Sequence, residues 1–132
     1  VGDAYGLSST ERGILKIAAS FHDIGKIGTP DHILLKSTPF DEAEWAQMKQ
    51  HSEIGEKIMA ATELEGSQQA ALVIRHHHEH YDGRGYPDGL SGDDISICAR
   101  IISIADSYDA MAETRSYHRA RTHRDIIAIL HQ

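Results

Sequence analysis

Ten histidines stand among the 132 residues of this sequence, and histidine is the commonest metal ligand in proteins. One of them belongs to the run His22-Asp23-Ile24-Gly25-Lys26. At a helix end, the imidazole of His22 can bind one metal ion while the carboxylate of Asp23 bridges two, as two-metal hydrolytic sites require. Lys26 follows where the helix unwinds, so its ammonium could reach a phosphoryl oxygen. The plain alternative is a surface His-Asp pair beside a solvated lysine.

Three consecutive histidines, His76, His77 and His78, form a second candidate group. Adjacent residues on a helix point about 100° apart, so at most two of the three can face one metal site. The third then faces solvent or a different partner. A polar helix end is the alternative, but the apolar run at residues 70–74 before the histidines predicts a helix packed on a core.

Asp106 interrupts the apolar face of another predicted helix. A buried carboxylate costs several kcal/mol unless it is paired or binds a metal. Asp109 lies three residues further along the same face, so one of the two could be a ligand and the other a supporting or capping group. A salt bridge from Asp106 to Arg100 or Arg115 is the structural alternative.

The candidate ligands offer nitrogen and oxygen donors and no sulfur. Such a set suits Fe, Mn, Zn or Ni better than a metal selected by thiolates. The lone Cys98 excludes a disulfide framework and a multi-cysteine zinc site. His51 is a candidate ligand only because the other candidates are present. A single helical histidine is more often a polar surface residue. The candidate ligands are His22, Asp23, His51, His77, His78 and Asp106.

A glycine-rich loop follows the second group, at residues 82–90. Its glycines permit backbone conformations that other residues resist. Tyr86 and Pro87 offer a rigid apolar surface, and the guanidinium of Arg84 could pair with a phosphate. On its own, a loop of this composition is usually a turn.

Helical periodicity runs through almost the whole sequence and must position these groups. We predict a first helix from the capping box Ser8-x-x-Glu11 to Phe21 and a last helix capped by Thr122 and reaching Leu130. No alternating strand pattern occurs, so the predicted fold class is all-α. Three further helices are predicted at residues 41–59, at residues 70–80 with Ser67 as the cap, and at residues 95–114.

The length and net charge of the chain limit the number of domains and the kinds of function it can have. A chain of 132 residues fits one domain. The net charge of −7 disfavours a nonspecific nucleic-acid binder, which needs a basic surface, although divalent cations would allow a phosphate-bearing ligand. We find no apolar run of membrane-spanning length and no signal peptide, so we expect a soluble cytoplasmic protein. The start at Val1 and the end within an apolar helical pattern suggest a piece of a longer protein.

Taken together, the motifs resemble the HD-GYP family, a branch of the HD superfamily of metal-dependent phosphohydrolases. The resemblance runs from about residue 7 to residue 120. It implies a helical bundle with a metal site in the bundle core, and hydrolysis of the bacterial second messenger cyclic di-GMP to the linear dinucleotide or to GMP. The matching motifs are His22-Asp23-x-Gly25-Lys26, His77-His78-Glu79-x-x-Asp82-Gly83-x-Gly85-Tyr86-Pro87, Ala99-Arg100-Ile101 and Asp106-x-x-Asp109-Ala110.

The resemblance also implies roles for single residues. The six candidate ligands would bind two or three divalent metal ions, with Fe or Mn favoured, and Asp23 would bridge them. Lys26 would contact the scissile phosphate and act in catalysis with Asp23. Arg115 and Tyr86 would join Lys26 in binding the substrate.

On this interpretation residues 1–132 form a single HD-GYP domain, which we expect to lack the family's first ligand-bearing helix and the end of its last helix. The expected partners are a cyclic dinucleotide and sensory, receiver or cyclase domains, with a homodimer left open. Duplex nucleic acid and membrane contact by this segment are not expected. Three alternatives remain: a noncatalytic HD-GYP module that binds cyclic di-GMP or a signalling partner, an HD phosphohydrolase acting on another nucleotide, and a helical interaction domain with incidental histidines.

Overall fold

The protein is described by a computed structural model that covers residues 6–112 and residues 124, 127 and 129. Two short 3₁₀ helices, Ile24–Gly28 and Gly92–Asp94, join the α-helices. The only β-type pairing among the described residues is an isolated antiparallel bridge between Asp82 and Ser91. The all-α prediction is therefore confirmed. The α-helices are α1 (Ser9–Phe21), α2 (Asp31–Leu34), α3 (Glu42–Lys49), α4 (His51–Ala60), α5 (Ser67–His76) and α6 (Ile97–Ala112).

Helix α1 begins at the predicted capping box. The Ser8 hydroxyl accepts the backbone N–H of Glu11 at 3.1 Å, and the Glu11 carboxylate accepts the backbone N–H of Ser8 at 3.2 Å. This reciprocal pair satisfies two N–H groups that have no partner within the helix. The capped start leads, after thirteen helical residues, to His22 at the C-terminal cap.

The predicted helix at residues 41–59 is wrong in one respect, because it is two helices. Asp41 caps α3 as expected, with its carboxylate accepting the Glu44 N–H at 2.8 Å. At Gln50 the backbone N–H bonds to the carbonyl of Gln47, three residues back, which tightens the last turn of α3. A second helix then starts, and His51 is its first residue.

The prediction for α5 also needs correction at both ends. Ser67 is the first helical residue and not the cap, because its hydroxyl donates to the carbonyl of Thr62 at 3.2 Å. Gly66 occupies the cap position with φ of 81°, a left-handed conformation that suits glycine. The helix ends at His76 instead of about residue 80, so the histidine run turns out of the helix.

Helix α6 runs from Ile97 to Ala112, against a prediction of residues 95–114. Residues 113 and 114 lie outside the described residues, as does the predicted final helix except for residues 124, 127 and 129. No helix in the described part of the chain is long and apolar enough to cross a membrane.

The core forms where α5 packs against α1, α4 and α6. Small residues such as Ala18, Ala70 and Ala99 are fully buried there and let the helices approach closely. Larger side chains, among them Met59 and Ile74, fill the space between the helices. Because the core fixes these four helices relative to one another, it also fixes the positions of the side chains at their ends.

The Ile24–Gly28 segment also packs closely against α4. A Cβ atom at Gly25 would run into the backbone carbonyl of His51 and the backbone amide of Gly55. Only glycine lets these two backbones touch. The contact brings the residues on either side of Gly25, Asp23 and Lys26, beside the start of α4.

Candidate metal centre

The candidate ligands converge from four helices onto one site. His22 is the C-terminal cap of α1, and Asp23 follows it. His51 starts α4, His77 and His78 follow the last residue of α5, and Asp106 lies within α6. Residues separated by up to 84 positions in sequence thus meet in space. The six residues that the sequence singled out as ligands lie in this one cluster.

One half of the cluster contains three imidazoles and a carboxylate. Each of these four residues offers one ligand atom, and the four atoms lie within 4.8 Å of one another. The Nε2 of His51 lies 3.6 Å from a carboxylate oxygen of Asp23 and 3.1 Å from the Nε2 of His78. The Nε2 of His77 lies 4.0 Å from the same Asp23 oxygen. This half offers the nitrogen and oxygen ligands of one divalent ion.

The other half contains one imidazole between two carboxylates. The Nε2 of His22 lies 3.3 Å from Asp23 and 3.4 Å from Asp106. Asp23 presents one oxygen to this half and its other oxygen to His51 and His77. The geometry therefore allows the Asp23 carboxylate to bridge two ions.

Three of the histidines are oriented by their own helices. The Nδ1–H groups of His22, His51 and His77 donate to the backbone carbonyls of Ala19, Met48 and Ile74, each three residues earlier. In a neutral ring, a proton held at Nδ1 leaves the lone pair at Nε2. This is the state of His51 and His77, whose pKa values burial lowers. Hydrogen bonds of this kind fix the tautomer and the ring orientation of metal-binding histidines. All three Nε2 atoms consequently point toward the carboxylates.

The Nε2 of His77 provides a test of whether a metal fits. The side chain is completely buried, and within the described residues this nitrogen has no hydrogen-bond partner. A buried polar atom without a partner costs about 1–3 kcal/mol, so such atoms are rare in native proteins. A cation held between His77 and Asp23 would satisfy the lone pair. The residues present therefore fit a divalent metal ion.

Burial and charge set the protonation of the cluster. Burial is the main influence that lowers the pKa of His77 to about 4 and that of His78 to about 3. Both rings are therefore neutral at physiological pH and can act as ligands without losing a proton. In the metal-free protein, hydrogen bonds to Asp106 and Asp23 raise the pKa of His22 to about 10.

The two carboxylates remain ionised. Burial is the largest influence on Asp23 and would raise its pKa, but the hydrogen bond with His22 and the positive charges of His22 and Lys26 outweigh it, so the pKa lies below the usual range. The hydrogen bond from His22 likewise lowers the pKa of Asp106. Two ionised carboxylates around His22 create a position that attracts positive charge.

Lys26 lies at the edge of this cluster. Its Nζ is 3.5 Å from an oxygen of Asp23, and its side chain is 39% exposed. The ammonium is thus close to the carboxylate but open to solvent. It can also contact a ligand that enters from outside.

The glycine-rich loop folds back over the histidine run. The backbone N–H of Tyr86 donates to the carbonyl of His78 at 3.2 Å. A Cβ at Gly85 would run into the backbone of residues 78–80, so this approach requires glycine. As a result the Tyr86 ring stacks on the His78 ring, with 5.0 Å between centroids and 17° between planes. Tyr86 thereby covers one side of the metal centre.

Sequence reasoning missed the residues that hold this loop. The buried carboxylate of Glu79 accepts the backbone N–H groups of Asp88 and Leu90 at 2.7 and 2.9 Å. Arg75 donates twice to Asp88, each time at 2.8 Å, and once to Glu56 at 2.7 Å. Arg75 and Glu79 flank the histidine run, and Glu79 also belongs to the matching motif, but neither signal predicts that they hold the loop.

The other residues named in the sequence predictions lie outside the cluster or outside the described residues. His76 is the third histidine that turns away from the cluster, and its Nε2 lies 2.8 Å from Asp88. Asp109 is exposed and lies outside the cluster. The alternative salt bridge from Arg100 to Asp106 does not form, because Arg100 pairs with Asp93 at 3.7 Å. Arg115 lies outside the described residues.

Known proteins are similar in sequence to most of this chain. The sequence model of the HD domain matches residues 1–132. The cyclic di-GMP phosphodiesterase response regulator RpfG of Xanthomonas campestris pv. campestris is 42% identical over 131 residues, which are 99% of this chain and 35% of that protein. The 3'3'-cGAMP-specific phosphodiesterase 2 of Vibrio cholerae is 44% identical over 113 residues, 86% of this chain and 22% of that protein.

The cyclic di-GMP phosphodiesterase of Thermotoga maritima is 41% identical over 117 residues, which are 89% of this chain and 32% of that protein. The chain thus spans 22–35% of the length of these three relatives.

Proposed function

This chain belongs to the HD domain family, in its HD-GYP branch, and from this membership we propose that it is a metal-dependent phosphodiesterase that hydrolyses cyclic di-GMP to the linear dinucleotide or to GMP. The observation that carries the proposal is the completely buried Nε2 of His77. It has no hydrogen-bond partner among the described residues and faces the shared carboxylate of Asp23. A protein keeps such a nitrogen unpaired when a cation occupies the space.

We infer two divalent ions, because the described ligands fall into two groups that share Asp23. One ion would be held by Asp23, His51, His77 and His78, and the other by His22, Asp23 and Asp106. The nitrogen and oxygen donors suit Fe, Mn, Zn or Ni, and the resemblance to the HD-GYP family favours Fe or Mn among these. A third ion would need ligands beyond these two groups.

When bound, such ions lower the pKa of coordinated water and neutralise charge on a phosphoryl group. The chain's own residues contribute positioning. The exposed ammonium of Lys26 binds a nonbridging phosphate oxygen and stabilises the charge that grows there as water adds to phosphorus and the P–O3' bond breaks. Asp23 holds Lys26 in reach through the 3.5 Å ion pair. Tyr86 closes the side of the site next to His78 and shields it from water.

The domain is proposed to act within a larger signalling protein, alongside sensory, receiver or cyclase domains, as the greater length of its relatives suggests. Hydrolysis of 3'3'-cGAMP is a second candidate activity. It is favoured by the 44% identity to a relative named as specific for that dinucleotide.

The test is hydrolysis by the chain after anaerobic loading with Fe(II) or Mn(II). Cyclic di-GMP and 3'3'-cGAMP are offered separately, and the products are separated by chromatography. Asp106→Asn should lose bound metal and turnover, whereas the matched control Asp109→Asn, on the exposed face of the same helix, should retain both. Metal binding without turnover of either dinucleotide would favour the noncatalytic binding module.

A further inference from the structure

The four histidines of the metal centre are not all held in the same way. His22, His51 and His77 each donate from Nδ1–H to a backbone carbonyl three residues earlier. Among the described residues, the Nδ1 of His78 takes part in no hydrogen bond, and the polar contacts of this ring run through Nε2, toward His51 and Asp106. A contact other than a backbone hydrogen bond must therefore hold the His78 ring in place.

The Tyr86 ring supplies this contact. Its plane lies 17° from that of His78, with 5.0 Å between the centroids, a separation within the range of about 4.5–7 Å that stacked aromatic rings favour. The rings of His51 and His77 also contact His78, at centroid distances of 4.9 and 4.0 Å, but both are candidate ligands themselves. In the described part of the chain, Tyr86 is thus the ring that holds His78 from outside the ligand set.

Side-chain contacts fix the Tyr86 ring in turn. It meets the Trp45 ring at 82°, with 6.1 Å between the centroids, and Trp45 stacks on Phe40. The Lys49 ammonium lies 5.4 Å from the centre of the Tyr86 ring, close enough for a cation–π interaction. The ring is therefore held by its own neighbours as well as by the histidine on which it stacks.

Backbone contacts fix the segment that carries Tyr86. The backbone N–H of Tyr86 donates to the carbonyl of His78 at 3.2 Å. The buried carboxylate of Glu79 accepts two backbone N–H groups from later in the loop, at 2.7 and 2.9 Å. Since His78 and Glu79 are adjacent in sequence, the loop is anchored to the same short stretch of chain that carries the ligand.

We propose that Tyr86 is a positioning residue of the metal centre, whose ring stacks on the His78 imidazole and directs its Nε2 toward the metal. The stacking does for His78 what the backbone carbonyls do for the other three histidines. Groups that orient ligands in this way support metal affinity. The inference rests on the proposed function, because it takes His78 as a ligand of one of the two inferred ions.

The positioning role requires the ring of Tyr86 and not its hydroxyl. Within the described residues the hydroxyl takes part in no hydrogen bond. Phenylalanine keeps a ring that can stack, whereas leucine is apolar and bulky but cannot stack. A role limited to substrate contact would leave the metal affinity of both variants unchanged.

The test measures the Mn(II) affinity of the metal-free chains by competition with a fluorescent chelator. We expect Tyr86→Leu to bind Mn(II) about tenfold or more weakly than the wild type, since changes to groups that orient ligands cost about 10–100-fold in metal affinity. Tyr86→Phe should restore the wild-type affinity. Tyr81→Leu, at a tyrosine that is 64% exposed, is the matched control and should also retain it. Circular dichroism checks the fold of each variant.

Nuclear magnetic resonance on the metal-free wild-type chain tests the geometry without any variant. The ring protons of Tyr86 and His78 should show a nuclear Overhauser effect, and its absence would overturn the inference. Unchanged Mn(II) affinity in Tyr86→Leu would also overturn it, as would a loss in Tyr86→Phe as large as that in Tyr86→Leu.

The outcomes separate this inference from the proposed function, because the titration needs no substrate. A chain whose Mn(II) affinity depends on the Tyr86 ring but which hydrolyses neither dinucleotide would contradict the proposed function and leave the role of Tyr86 supported. A wild-type chain that hydrolyses a dinucleotide, with unchanged Mn(II) affinity in Tyr86→Leu, would contradict the role of Tyr86 alone.

Discussion

The Nε2 atoms of His51 and His78 face each other at 3.1 Å, and burial lowers the pKa of both rings, for His78 to about 3. The Nδ1–H of His51 donates to the Met48 carbonyl, so the His51 Nε2 presents a lone pair to its neighbour. At most one proton fits between two such nitrogens. A divalent cation placed beside them would bind both lone pairs, with the charge of Asp23 3.6 Å from His51 to balance it.

His51→Gln should therefore weaken metal binding at least tenfold, because one of three imidazoles in that half of the cluster is lost. Changes to residues that only support ligands already cost about 10–100-fold in metal affinity. The measurement is metal content by elemental analysis after dialysis against a buffered metal concentration, with circular dichroism to check the fold. His32→Gln, at an exposed histidine of α2, should retain the wild-type metal content. Full occupancy in His51→Gln would remove His51 from the ligand set.

Lys26→Met should separate catalysis from metal binding. Removing the ammonium takes away a charge that stabilises the phosphoryl oxygens, and losses of about 10²–10³ in kcat are typical for a single such donor. Metal content should not fall, because the lysine is a positive charge 3.5 Å from Asp23 and competes with a cation. Kinetics and elemental analysis on the same sample measure both quantities. Lys16→Met, on the exposed side of α1, is the control, and equal turnover in the two variants would contradict the role of Lys26.

The parts of the site that could be predicted from sequence depend on residue type and local pattern. The capping box of Ser8 and Glu11 fixes the start of α1, and the helical period then carries the chain to His22 at its end. Asp106 was recognisable because a carboxylate on an apolar face needs a partner. These predictions depend only on residues that are close together in the sequence.

The remainder depends on contacts between distant residues. His77 and His78 face the site, and His76 does not, because α5 ends at His76. No capping residue in the sequence predicts that end. The ion pairs of Arg75 join residues 13 and 19 positions away. Charged surface residues do not recur at a regular spacing in the sequence, so their ion-pair partners cannot be predicted from it. The break at Gln50, which makes His51 the first residue of α4, also had no proline or glycine to mark it.

Gly25→Ala should destabilise the protein, because the new Cβ would meet backbone atoms of His51 and Gly55, which cannot rotate away. Overpacking of this kind typically costs about 1–3 kcal/mol, and the displaced Asp23 should also weaken metal binding. Gly13→Ala is the matched control. A Cβ there meets nothing within 4 Å, and alanine in a helix interior should raise stability by about 0.5–1 kcal/mol. Urea unfolding of both variants measures the contrast, and equal effects would show that the contact between Gly25 and α4 is not tight.

Asp88→Asn should lower stability at neutral pH and lose that effect in acid. Hydrogen bonds from Arg75, and then from His76, hold the pKa of Asp88 well below its usual range. A carboxylate whose pKa is lower in the folded state stabilises the fold above its unfolded pKa of about 4, and this contribution disappears as pH falls further. We expect the variant to lose about 1–2 kcal/mol of unfolding free energy at pH 7, allowing for partial exposure.

The difference between wild type and Asp88→Asn should shrink as the pH falls from about 4 toward about 2, since protonation of Asp88 then removes the same charge. Urea unfolding of the metal-free proteins across this range measures it. Asp93→Asn is the control, because Asp93 is 92% exposed and pairs with Arg100 only at 3.7 Å. Its effect should stay within about 0.5 kcal/mol at every pH. A constant difference for Asp88→Asn down to pH 2 would show that its cost comes from packing and not from the charge, and that the hold of Arg75 on the loop is not electrostatic.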